Sequence, residues 1–237
     1  MRNALVTNHV ASQAAVLLML GGTVLFGATP TNNAVTHRLD DATTIFSEIM
    51  SAPDKGIPRD LLDKAHCAVI VPGLKKGAFV FGGEYGKGFV TCRGKHGKGW
   101  TAPAAVRVEG GSFGFQIGGS ETDVVMLVMN DRGARRMLES QFTLGADGQV
   151  AAGPVGRQST AQTDAKFTAE ILSWSRSRGV FAGISLKGAT LRQDKDDNEA
   201  LYGRPLENRD IVAGAVRPTA AGRRLIASLD RVSPMER

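Results

Sequence analysis

Cysteine and histidine are scarce, two and four in 237 residues. A disulfide-dense scaffold or a Cys/His metal array needs more of both. His66, Cys67, Cys92 and His96 are the residues that would have to meet as ligands. Their spacing matches no zinc pattern, and Cys67 sits in an apolar run where a small hydrophobe fits, so neither a metal nor a cofactor is expected. Aromatics are also few: ten Phe, two Trp and two Tyr. They are not interleaved with basic residues, which argues against a base-stacking surface and against nucleic acid as a partner. The uncharged run 14–28 (AAVLLMLGGTVLFGA) is fifteen residues, short of the roughly 20 that a membrane-spanning helix needs.

That run suits the apolar region of a secretory signal. Residues 1–28 are therefore expected to be a signal peptide or an amino-terminal anchor, and the protein to be exported, periplasmic or envelope-associated. Arg2 is the only formal charge in that stretch, so its removal leaves 28 basic against 23 acidic residues. The positive balance belongs to the folded part and favours an acidic partner. In an exported chain, Cys67 and Cys92 are also candidates for a disulfide.

Glycine is abundant, 29 residues. After a polar linker at 29–34, Val35, Leu39, Ala42, Ile45, Phe46, Ile49 and Met50 recur at helical spacing. Ile57-Pro58 opens a second short helix. From Cys67 the texture turns to strand. CAVIV is stopped by Pro72-Gly73, GGEYGKG reads as a tight turn, and Phe113, Phe115 and Ile117 alternate with small or polar residues. Val124–Met129 is apolar throughout, as in a strand covered on both faces. Asp131 is placed to cap a helix over 131–141. Val180, Ala182, Ile184 and Leu186 alternate again, and 197–201, 211–215 and 220–229 are helical in pattern. This order predicts an α+β fold: a mostly antiparallel, glycine-rich sheet with helices at both ends. Its parts are a helical lead-in at 35–64, a β-rich core at 65–193, a helical end at 194–230 and a tail at 231–237.

Catalytic motifs fail on context. Gly110-Gly-Ser112-Phe-Gly114 fits G-x-S-x-G, but every histidine precedes Ser112, and an α/β-hydrolase needs its histidine afterwards, in a strand–turn–helix setting. Gly83–Gly88 lacks the spacing and the Ser or Thr of a phosphate loop. An unrecognised hydrolase is thus the weakest reading, and no enzyme is expected. The basic residues remain. Lys87, Arg93, Lys95 and Lys98 crowd one stretch with no acid between Glu84 and Glu109, and Lys75-Lys76 lie nearby. Such a cluster meets anionic head groups at about 1 kcal/mol per cation, with Trp100 or Phe89 dipping toward acyl chains. The expected partner is an anionic phospholipid or membrane surface. The alternative is a protein-interaction or scaffold module, with an envelope protein as partner.

Several blocks occur in order: KGWTAPAAV (98–106), GGSFGFQIGGSETDVVMLVMN (110–130), TLGADGQVAAGPVGR (143–157), SWSRSRGVFAGISLKGA (173–189) and NEALYG (198–203). With them the chain resembles the SYLF domain family over about residues 37–230. The resemblance implies a lipid-binding module, which in fungal members also binds actin, and no catalysis. Eukaryotic members often carry a basic amphipathic helix ahead of the β region. Here that helix sets His37 and Arg38 against Asp40, Asp41 and Glu48, and an acidic polar face is a poor anchor on anionic lipid. Lys187 stands where the family usually has an acid. Gly153, Pro154, Gly156, Gly179 and Gly183 are expected to serve the architecture, and Asp123 and Arg157 to be paired structural charges or ligand contacts.

Overall fold

The computed structural model describes residues 32–52, 56–78, 82–94, 99–112, 118–155, 169–177 and 180–234. Two helices come first, α1 (Asn32–Ser51) and α2 (Arg59–Lys64). Four long strands follow: β1 (Cys67–Ala78), β2 (Gly82–Cys92), β3 (Ala104–Ser112) and β4 (Gly118–Val128). Next come α3 (Asp131–Met137), β5 (Gln141–Thr143), β6 (Val150–Ala152), β7 (Ile171–Ser177), β8 (Val180–Gly183) and β9 (Thr190–Gln193). The chain closes with α4 (Lys195–Tyr202), α5 (Asn208–Asp210), a π-turn at Ile211–Ala215 and α6 (Ala220–Val232). This is the α+β arrangement expected.

The nine strands among the described residues form one sheet, ordered β5-β9-β3-β2-β1-β4-β7-β6, with β8 also paired to β7. Every pairing is antiparallel except β6 with β7. β5 and β6 stand at opposite ends of this order, yet only residues 144–149 separate them, and Leu144 bridges to Gly148. Six residues reach at most about 20 Å, far less than the width of eight flat strands spaced about 4.8 Å apart. The sheet therefore curls until its two edges meet.

Curling gives the sheet an inside and an outside, and the period-two alternation fills both. Val69, Val71, Val90, Val106, Met126 and Val128 point inward with Phe142, Leu144 and Ile211. Ala68, Ile70, Phe89, Ala105, Val125, Leu127 and Trp174 point outward. There they meet Leu39, Phe46 and Ile49 of α1, Leu61 and Leu62 of α2, and Leu225 and Leu229 of α6. Among the described residues, no helix is long and apolar enough to cross a membrane.

Several local expectations need correction. Pro72-Gly73 does not stop β1; the strand continues to Ala78 across a register shift, with Gly73 at φ 56°. Gly83–Gly88 is not a turn but the body of β2, paired throughout with β3 and, at Gly83–Tyr85, also with β1. A Cβ at Gly88 would run into the Ile70 carbonyl, so glycine there permits close strand approach. α3 is capped by Asn130, whose side chain accepts from Gly133 N, and it ends at Met137. Asp131 is its first residue and pairs with His66 at 2.8 Å. α1 begins at Asn32, inside the stretch read as linker. β8 ends at Gly183, so Ile184–Leu186 lies outside the strand. Residues 211–215 form a π-turn broken by Gly214 at φ 97°. Phe113, Phe115 and Ile117 lie outside the described residues.

Candidate functional site

The residues expected to face a membrane are mostly claimed by the fold. Lys87 follows the same alternation as Phe89 and turns toward the helical layer. Its ammonium sits 2.7 Å from Asp194 and 3.0 Å from Asp197, two side chains only 1% exposed. Arg38 of α1 reaches the other oxygen of Asp197 at 2.5 Å. Burial pulls the Lys87 pKa down, but the hydrogen bonds and charges of Asp194 and Asp197 outweigh it, so the net shift is upward. Asp194 also caps α4 by accepting from Asp197 N at 3.2 Å. Beside this cluster runs a buried amide network. Asn198 accepts from Ala105 N at 2.7 Å and donates to Asn208, which donates to the Ala105 carbonyl and takes Gln193 Oε1 on its own N–H. Together these groups bind α1, α4 and α5 to the centre of the sheet.

Arg93 is likewise engaged by the fold and half-buried. Its guanidinium lies 4.1 Å over the Trp100 ring and donates to the carbonyls of Leu62 and Ser233 and to Ser233 Oγ. Trp100 is 7% exposed, so it packs inward and has no reach toward acyl chains. Lys76 pairs with Glu84 at 3.1 Å across β1 and β2. Lys75 is exposed beside the half-exposed Tyr85, its cross-strand partner. Lys95 and Lys98 lie outside the described residues. Cys67 and Cys92 stand opposite each other in register and are joined by a disulfide.

That disulfide lines a cleft of about 690 Å³ together with Asp63, His66, Arg93 and Asp131. Ser233 Oγ donates to Asp63 at 2.5 Å, but Ser233 is fully buried and also receives Arg93, so it serves as a joint, not as a nucleophile. A second cleft, of about 630 Å³, opens between α1 and the Pro72-Gly73 kink. At its floor Asp123 accepts from Gly73 N at 3.0 Å and from Arg176 at 3.0 and 2.8 Å, and Arg176 also pairs with Glu48. Asp123 is thus a paired charge that fixes the kink.

The glycine blocks have an architectural explanation where they are described. A Cβ on Gly153 would overlap the Trp174 ring, and one on Gly183 would strike the Gly153 carbonyl. Pro154 O receives the Trp174 indole N–H at 2.9 Å. Gly156, Arg157 and Gly179 lie outside the described residues. Sequence reading missed Arg38, Arg176, Asp194, Asp197 and Asn208. Asp194 and Asp197 could have been found, since D-x-x-D running up to the NEALYG block has the spacing of a helix cap. Arg38 and Arg176 bond across 159 and 53 residues of chain, and no local pattern marks such pairs.

Gly110, Gly111 and Ser112 end β3, and the next described element is the strand β4, whereas a nucleophile elbow leads from its strand into a helix. Among the described residues no group of His, Cys, Asp and Glu is arranged to hold a metal ion. The fold and its clefts define a class, a curled-sheet α+β module whose buried charged groups hold elements together. The chain belongs to the Ysc84 family, the SYLF domain family, described as "Las17-binding protein actin regulator", whose profile matches residues 109–232. It is 34% identical over 188 residues to "SH3 domain-containing YSC84-like protein 1" of Bos taurus, covering 78% of this chain and 54% of the relative. The protein of the same name from Rattus norvegicus is 35% identical over 174 residues, 72% and 51% of the two chains. "LAS seventeen-binding protein 3" of Saccharomyces cerevisiae (strain ATCC 204508 / S288c) is 31% identical over 202 residues, 80% and 44%. The chain thus spans about half the length of these relatives.

Proposed function

We propose that this chain is a non-enzymatic protein-interaction module. The family match carries the reading: the family description and the yeast relative's name both state binding to another protein, and the description adds actin regulation. The fold agrees in chemistry. Lys87, Arg93, Arg176, Asp194 and Asp197 are spent on joining helices to the sheet, which makes a rigid body that presents surfaces. The partner is a protein, and actin filaments are the first candidate. Cosedimentation of the full chain with filamentous actin, beside a cross-linking pulldown with extract of its own source, tests this. Filament pelleting or a saturable protein partner supports the reading; a chain that stays in the supernatant and cross-links only to itself overturns it.

Contact with anionic membrane is the second reading, favoured by exposed Lys75 beside Tyr85, a cation next to an amphipathic ring. Pelleting with phosphatidylserine vesicles that is lost in Lys75→Gln supports it; equal pelleting with neutral vesicles excludes it. Export of the chain is part of the same proposal, and amino-terminal sequencing of the mature protein decides it.

A further inference from the structure

The carboxy-terminal segment between α4 and α6 gathers arginines that the fold does not neutralise. The Arg204 guanidinium donates to the Ala215 carbonyl at 3.0 Å, and that of Arg223 to the Pro218 carbonyl at 3.0 Å. Arg217 lies between these two carbonyls in the chain. All three side chains are exposed, and no described carboxylate lies within ion-pair distance of any of them. The two acids between Arg204 and Arg217 have other partners: Glu207 pairs with Lys195 at 2.6 Å and Asp210 with Arg209 at 3.9 Å. Arg224, next to Arg223, is drawn away to Asp40 of α1.

The platform beneath them is firmly set. Ile211 is fully buried at one end, and Thr219 caps α6 through Gly222 N at the other. Between them Gly214, at φ 97°, turns the chain so that Ala213, Gly214 and Ala215 are exposed. Two of the three guanidinium groups are oriented by backbone carbonyls, which lowers the ordering cost of binding. A guanidinium offers a planar fork of donors suited to a carboxylate. The large hydrophobic side chains exposed among the described residues are Tyr85, Val155 and Val180. The patch therefore has no described side chain to insert into a bilayer or to stack on a base.

We propose that Arg204, Arg217 and Arg223 form a docking surface for an acidic segment of a partner protein, a proposal that rests on the protein-interaction reading above and specifies the chemistry of its partner. The test is fluorescence anisotropy of the full chain with a fluorescein-labelled peptide of alternating Glu and Ser, about ten residues long, beside its Gln counterpart. Binding of the Glu peptide alone is expected, weakening steeply toward about 0.5 M salt, where the screening length falls to a few ångström. Each single Arg→Gln change should weaken it about two- to fivefold, the worth of an exposed pair, and the triple change on the order of tenfold or more. Arg59→Gln and Arg132→Gln should leave it unchanged. The triple Arg→Lys variant, which keeps charge without the fork, should fall between.

Equal affinity in the triple Gln variant, equal binding of the Gln peptide, or loss in the Arg59 and Arg132 controls overturns the proposal. So does patch-dependent pelleting with phosphatidylserine vesicles in the absence of peptide binding, which would reassign the patch to membranes. Far-UV circular dichroism checks that each variant is folded, and the single variants together with the salt series decide the matter if the triple variant is not. The two readings fail separately. A partner captured by the chain but indifferent to the three arginines removes this surface and keeps the interaction module. Peptide binding without any captured partner does the reverse.

Discussion

At the scale of single residues, burial decided what composition could not. Lys87 reads in the sequence as one of a run of surface cations. The strand alternation that places Phe89 in the outer core also turns Lys87 under the helices, where two carboxylates wait. Only the assembled partners, 107 and 110 residues away, show this. Lys87→Met leaves Asp197 with Arg38 and takes from Asp194 its cation, and should cost about 3 kcal/mol, as removal of one member of a buried pair does; chemical denaturation measures it. The pH dependence has a definite sign. Lys87 titrates above its ordinary value, and burial likewise raises the Tyr202 hydroxyl, which donates to the Pro103 carbonyl at 2.5 Å. A raised folded pKa gives stability that is full below the unfolded value, about 10 for either group, and lost as pH rises above it. Melting temperature should therefore fall steeply above about pH 10, and Lys87→Met or Tyr202→Phe should each flatten that fall; a profile as steep as that of the parent protein would refute the assignment. Gly153 and Gly183 were legible as architecture, although their reason was not. Gly153→Ala and Gly183→Ala each force an overlap, the first with an indole ring and the second with a backbone carbonyl that cannot swing aside. Each should cost about 1–3 kcal/mol, the range for overpacking, with Gly183→Ala the worse.

At the scale of elements, the strongly periodic segments were readable and the irregular joints were not. The apolar positions of α1 are buried as their spacing implied, with Met50 at the end of the stripe only partly so, because a helix stripe and its core are the same physical fact. The kink at Pro72-Gly73 broke the apparent strand in sequence, whereas in the fold the Asp123 carboxylate takes the Gly73 N–H and lets the ladder resume. That contact bridges 50 residues, beyond any local window. α1 also shows which force dominates its docking. It carries three ion pairs to distant elements, Arg38–Asp197, Asp40–Arg224 and Glu48–Arg176, and six buried apolar residues. Asp40 and Arg224 are both about half exposed, so Asp40→Asn should cost under about 1 kcal/mol. Phe46→Ala, at a fully buried site, should cost about 3–5 kcal/mol. Thermal unfolding of the two variants compares them directly, and equal losses would mean that charge, not apolar burial, holds the helix. The disulfide acts between β1 and β2, which are already paired. Closing a chain separation of 25 residues should contribute about 3 kcal/mol through the unfolded state. The double Cys67→Ala, Cys92→Ala variant should lose that much, and the parent protein should lose the same in reductant.

At the scale of the whole molecule, the class was legible from the order of helices and strands, but the closure was not. Nothing in residues 144–149 announces that they join opposite edges of a sheet. That follows only from the pairing of β5 with β9 and of β6 with β7. Closure creates two cores on the two faces of the same strands: β1 supplies Val69 and Val71 to one and Ala68 and Ile70 to the other. A strand cannot leave one core and remain in the other, so the two are mechanically coupled despite being spatially distinct. Unfolding should therefore be one cooperative event. Met126→Ala removes side-chain volume from the inner core and Leu127→Ala from the outer one, both at sites no more than 1% exposed. Each should lower stability by about 2–5 kcal/mol. In urea, tryptophan emission follows the outer core, where Trp100 and Trp174 both sit, while far-UV circular dichroism follows the whole backbone. If the cores are coupled, the two signals give coincident transitions in the parent protein and in both variants, each shifted as a unit. An inner-core variant in which the backbone signal moves ahead of the tryptophan signal would show that the faces unfold independently, and would refute the coupling through shared strands.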